Sequence, residues 1–271
     1  MEPTATAGTD PSAAPPSEVS GLPGAGELPA VAGLLDGMPR QRGGPRLARA
    51  SGPAPAGLRS LGRLRRLLPT PAGTPFTFGY AAVLALTSLF SAYAAAPLVL
   101  ALRQASSTDV AHLLRSPAVV LLASALWIAG GLVSPFVGCF LLVLTALERR
   151  IGGARTAVVF LAGHVLATVV TEGVVGLAVL AGHLPGSSLH RLDYGISFGV
   201  AAGVGALAGL LRPWLRLPVL LLFGGMQVQS LLAFTDPMTN WGHLTALATG
   251  IATWPLVRRW HRETRARASW T

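Results

Sequence analysis

The chain has 271 residues, of which 51% are hydrophobic and only 12% charged, and its mean hydropathy is +0.55. That composition excludes an ordinary soluble domain and describes a polytopic membrane protein. The net charge of +10 comes from 21 basic residues, all arginine, whose placement along the chain is a topology signal and excludes nucleic acid as the partner.

Residues 1–70 are rich in Pro, Gly, Ala and Ser and hold no apolar run long enough to span or to form a core, so they are expected to be disordered. Eight arginines fall between Arg40 and Arg66. Leu58, Leu61, Leu64 and Leu68 recur among them at helical spacing, the pattern of a short helix on an anionic membrane surface or of a solvated basic tail.

Apolar runs then follow one another. Residues 76–102 make a first expected span, and 117–128 a shorter piece suited to an interfacial or re-entrant segment. Five further spans are expected over 132–147, 156–181, 195–211, 217–234 and 241–257. With a cytoplasmic N-terminus, eighteen of the arginines fall inside and three (Arg103, Arg115, Arg191) outside. An even number of spans with two basic tails satisfies the positive-inside rule. Cys139 is the single cysteine, so no internal disulfide forms. His112, His183, His190 and His261 lack metal-ligand spacing, and no metal is expected.

The fourth of these runs contains five glycines, at 195, 199, 203, 205 and 209, and one hydroxyl, Ser197. Small residues of this kind let neighbouring helices approach closely. In the assumed topology Ser197 lies just below the outer surface, and His243, early in the sixth span, lies at the same depth. His243, Ala246, Gly250 and Thr253 share one helix face of mostly small side chains that could pack on the glycine-rich span. A Ser–His pair is the minimal activated nucleophile, in which neutral imidazole takes the hydroxyl proton as the oxygen attacks a carbonyl. A serine at a helix start also has backbone N–H groups nearby for an oxyanion. Asp193 is expected to cap the fourth span, Glu148 and Arg150 to form an ion-pair cluster, and Glu172, eight residues from His164, to pair with another helix.

These features resemble the rhomboid family of intramembrane serine proteases. The matching residues are Gly195-Ile-Ser197 with Gly205, His243 through Ala246 to Gly250, and Glu148, Arg150 and Gly152 at the end of the second span. The short piece after the first span resembles the family's membrane-embedded first loop, and the likeness covers roughly residues 76–257. It implies an all-α membrane protein with a six-helix rhomboid-like bundle over 71–258, between a disordered cytoplasmic tail over 1–70 and a basic cytoplasmic tail over 259–271. It also implies a serine endopeptidase that cleaves membrane-anchored substrates with Ser197 as nucleophile and His243 as base, without a cofactor. The second implied function is an inactive rhomboid-like protein that binds transmembrane helices as clients. Residence in the inner (plasma) membrane is expected, and the arginine distribution places both termini on the cytoplasmic side. Three positions depart from the family's pattern: Phe198 would crowd an oxyanion site, and Leu132 and Phe136 stand where side-chain donors are usual.

Overall fold

The computed structural model describes residues 68–269, which form helices and loops with no strand among the described residues. The basic leucine repeat and the tail expected to be disordered fall, up to residue 67, outside the described residues.

The first expected span is two helices. α1 covers Pro75–Tyr93 and α2 covers Ala96–Ala105, with Ala94 (ψ 159°) and Ala95 (ψ 129°) non-helical between them. Pro97 explains the break, because it has no N–H to donate and its ring would strike the carbonyl of Tyr93 in a continuous helix. α3 (Val110–Arg115) begins at Asp109, whose carboxylate accepts the His112 N–H at 3.0 Å. The short apolar piece forms α4 (Pro117–Ser124), which buries Val120 and Ser124. A 3-10 turn at Gly131–Val133 leads to α5 (Pro135–Ile151), and α6 (Gly153–Leu180) follows after Gly152, whose φ of 89° suits glycine. Beyond a second 3-10 turn at Gly186–His190 come α7 (Ser197–Ala208) and α8 (Pro213–Leu232). The sixth expected span divides into α9 (Pro237–Ala252) and α10 (Trp254–Ala268), with Pro255 in the first turn of α10.

α7 is the axis of the bundle, packed by α5, α6, α8 and α9. Every residue from Phe198 to Ala206 is buried, so the smooth, glycine-rich helix lies in the middle of the bundle, as its small residues lead one to expect. Its contact with α9 depends on two glycines. A Cβ at Gly205 would collide with the Leu247 carbonyl, and one at Gly250 with the Ala202 carbonyl. The two backbones touch there, as small-residue helix faces in membranes permit. α1 and α8 lie at the periphery, with Leu86, Leu89, Leu221, Leu222 and Leu232 exposed.

Among the described residues, three helices, α1, α6 and α8, are long and apolar enough to cross a bilayer. α7 has 12 residues, about 18 Å at 1.5 Å per residue, against a hydrocarbon core of about 30 Å. Helix length alone therefore carries three of the six expected crossings. The protein is a membrane protein with an all-helical bundle.

Glu148 corrects one expectation. Its carboxylate does not pair with Arg150, which instead donates to the Ala146 carbonyl at 2.7 Å. Glu148 reaches the start of α1, accepting from the Phe76 N–H at 2.9 Å, the Thr77 N–H at 2.7 Å and the Thr77 hydroxyl at 2.6 Å. These amides belong to the first turn of α1, which has no intrahelical acceptors, and a negative charge there also complements the helix dipole. One side chain on α5 thus caps a helix some seventy residues earlier. Glu148→Ala should lower stability by about 2–3 kcal/mol, because charge-assisted hydrogen bonds are lost and buried donors are left unpaired. Thermal unfolding in detergent measures this, and a midpoint equal to wild type would contradict the cap.

The basic C-terminal segment is also structured. α10 docks on the α5–α6 corner through an Arg155–Glu263 ion pair at 2.6 Å, an Arg155 bond to the Trp260 carbonyl at 3.2 Å, and a His261 contact with the Arg150 carbonyl at 3.1 Å.

Candidate active site

The turn into α7 is built by Gly195, whose φ of +128° is closed to ordinary L residues. Its N–H donates to the Ser124 carbonyl at 3.0 Å, which anchors the turn to the end of α4. Ile196 follows as a buried cap residue that offers no side-chain acceptor, and Ser197 is the first helical residue. The N–H groups of Ser197, Phe198 and Gly199 are thus in the first turn without intrahelical acceptors, and the first ladder bond runs from Val200 to Ile196. Asp193 is not the cap. Its backbone and side chain are tied to the loop after α2, with the Thr108 N–H donating to the Asp193 carbonyl at 2.8 Å and the Asp193 N–H donating to the Ser107 hydroxyl at 3.0 Å.

α9 starts four residues before the expected sixth span, at an Asp236 cap and Pro237, so His243 sits in its second turn. The imidazole is 4% exposed. It stacks on Phe136 with centroids 5.0 Å apart and meets Phe198 edge-on at 5.3 Å. Neither ring nitrogen has a hydrogen-bond partner among the described residues. A buried polar group without a partner is costly, and its persistence is a feature of functional sites.

Ser197 and His243 line one cavity of about 190 Å³, with Ser134, Phe136, Thr239 and Ile128 among the other walls. The two candidate residues are brought to a common space, but no hydrogen bond joins them. Ser134 is the side-chain donor that α5 brings to the cavity from its N-cap position. Thr239, one turn before His243, joins the cavity wall, and its helical spacing from His243 is the sequence signal that points to it.

The departures acquire structural meaning. Phe198 does not line the cavity. Its ring turns toward α9, where a Cβ at Gly242 would strike it, and packs with Ala167 and Ala246. Crowding of an oxyanion site by Phe198 is therefore corrected: the side chain leaves, and only its backbone remains at the helix start. Leu132 lines a neighbouring cavity instead, while Phe136 forms the stacking floor of His243.

Around the same end of the bundle, Arg191 was legible only as one of three outer arginines. It donates to Glu172 Oε1 at 2.6 Å and lies 3.9 Å from Asp236 Oδ1. The acid of α6 is thus paired with the loop before α7, not with a helix, and the same guanidinium reaches the cap of α9. His164 is engaged separately, its Nε2 lying 3.1 Å from both the Ser124 hydroxyl and the Leu121 carbonyl. Arg191→Ala leaves Glu172, 1% exposed, without its counter-charge. Breaking a fully buried pair costs 3–5 kcal/mol, and the partial exposure of Arg191 reduces the expected loss to about 2 kcal/mol. Glu172→Gln in the same background should recover part of it in thermal unfolding; no recovery would place the cost elsewhere.

No group of three or more potential metal ligands occurs among the described residues. No curated protein and no solved structure matches the chain. The family described as rhomboid-like protein matches residues 72–263, from the turn before α1 into α10. With an all-helical apolar bundle over the same residues, the chain belongs to the rhomboid-like protein family.

Proposed function

We propose that this rhomboid-like membrane protein is an intramembrane serine endopeptidase that cleaves membrane-anchored proteins, with Ser197 as nucleophile and His243 as general base. The observation that carries this reading is their common cavity, lined by the uncapped start of α7 and by His243, whose two buried ring nitrogens have no hydrogen-bond partner among the described residues. Attack by Ser197 Oγ on a peptide carbonyl passes its proton to the imidazole, which returns it to the leaving amine. The N–H groups of the first turn of α7, with the Ser134 hydroxyl, supply donors for the oxyanion. No cofactor is needed. The cavity lies at the outer end of a six-crossing bundle in the plasma membrane, with both termini cytoplasmic, as the arginine distribution supports.

A second reading has its own observation. Ser197 and His243 are not hydrogen-bonded, and the aromatic ring of Phe136 occupies one face of the base. A protein with this site and no chemistry would bind transmembrane helices of client proteins and act on their stability. Labelling of purified, detergent-solubilised protein by a fluorophosphonate probe separates the two. Labelling of the folded wild type at Ser197 is expected; its absence would remove the endopeptidase and leave the helix-binding protein.

A further inference from the structure

A second cavity, of about 300 Å³, opens beside α1 and is lined by Thr87, Ser88, Ser91, Arg103, Trp127 and Leu132, among others. Arg103 is its cation. Its guanidinium lies over the rings of Trp127 and Tyr194, at 5.7 and 5.4 Å from their centroids. Trp127 is itself held by an Nε1–H bond to the Ser106 hydroxyl at 2.8 Å. Among the described residues, no carboxylate lies within ion-pair distance of Arg103, and its buried Nε has no hydrogen-bond acceptor.

Arg155 and Arg191 each have an acidic partner, whereas Arg103 is oriented by two aromatic faces, as Arg216 and Arg258 are by Trp254, and differs from these two in lining a cavity with a buried Nε that has no acceptor. An unneutralised cation at the edge of an apolar bundle is expensive unless an anion completes it. The hydroxyls point the same way. Thr87 is satisfied by the Leu126 carbonyl at 2.7 Å. Ser88 and Ser91, three residues apart and therefore on one face of α1, have no hydrogen-bond partner among the described residues. The surrounding surface of α1 is apolar and exposed, with Leu86 at 66% and Leu89 at 55%, so acyl chains are the natural neighbours of this cavity.

We propose that this cavity binds the headgroup phosphate of an anionic phospholipid, with Arg103 as counter-charge and Ser88 and Ser91 as hydroxyl donors. A guanidinium makes charge-assisted, forked hydrogen bonds to phosphate oxygens. Trp127 and Leu132 offer apolar walls to the glycerol and the first methylenes. The site is separate from the Ser197–His243 cavity and does not depend on any peptidase activity.

Native mass spectrometry of the full chain, with phosphatidylglycerol, phosphatidylcholine or inorganic phosphate added to the detergent, tests the assignment. Phosphatidylglycerol should be retained in preference to phosphatidylcholine. Arg103→Gln should weaken that retention about tenfold, as expected when a charge-assisted contact is lost, while Arg115→Gln leaves it unchanged. Ser91→Leu fills the cavity with the arginine intact and should weaken retention as well, which keeps the test sound if Arg103→Gln unfolds. Equal retention in Arg103→Gln and wild type, or no adduct on the folded wild type, overturns the site. Displacement of the lipid by millimolar inorganic phosphate would assign the same anion chemistry to a soluble ligand and overturn the lipid source.

Discussion

Under the proposed endopeptidase mechanism, Ser197→Ala should reduce turnover by about 10⁴-fold or more, and His243→Ala by a similar factor, because members of a nucleophile–base unit fail together. The double variant should be no worse than either single one, for the same reason. Both variants should remain folded. Ser197 is half-buried and makes no hydrogen bond that the fold would miss, and the His243 nitrogens have no partners to lose. Cleavage of a transmembrane reporter by reconstituted protein measures the rates, and fluorophosphonate labelling reports the nucleophile directly. Turnover within threefold of wild type in either variant would remove that residue from the mechanism. Truncating the imidazole leaves space between Phe136 and Phe198, so any loss of thermal stability in His243→Ala must be recorded beside the rate.

Gly250→Val should unfold or grossly loosen the bundle, at a cost of about 3 kcal/mol or more. Overpacking a well-filled core typically costs 1–3 kcal/mol, and here the obstacle cannot rotate away. A Cβ at this glycine would collide with the backbone of Ala202, and even the nitrogen of Ala206 lies within 2.9 Å of it. The damage would also spread to chemistry, since the same α7–α9 contact sets the separation of Ser197 and His243. Gly225→Val on α8 is the matched control, because nothing lies within 4 Å of its Cβ position. Thermal unfolding in detergent should show a large drop for the first and little change for the second. Similar midpoints for both would mean that the two helices can separate without penalty.

Residue patterns along the chain were enough for the apolar helical class, the membrane environment and the two residues that share the candidate cavity. Hydropathy reports lipid exposure and burial through composition, and small residues on one helix face announce close packing before any partner is known. The same patterns misplaced helix ends wherever proline acted. Pro97 divides the first run, and Pro255 lies just past the break between α9 and α10, because a missing N–H and a ring clash are local events invisible to an average over a window. Asp236-Pro237 was a readable helix start, and it moved His243 from the edge of a span to the second turn of α9.

What composition and spacing could not decide were the partners of the buried charges. Glu148 caps α1 and Glu172 meets Arg191. Each pairing depends on which helix ends the fold brings together, and nothing in a linear charge pattern specifies that distance. Nor could spacing say where the Phe198 ring goes. Its position in the chain suggested a blocked oxyanion site, and the packing of α6, α7 and α9 turned it into core. Helical class, membrane residence and the identity of the serine and histidine that share the cavity are properties of the sequence, since they depend on side-chain type and period. Capping, charge pairing and the open state of the cavity belong to tertiary structure, because each is a contact between segments whose approach only the folded bundle sets.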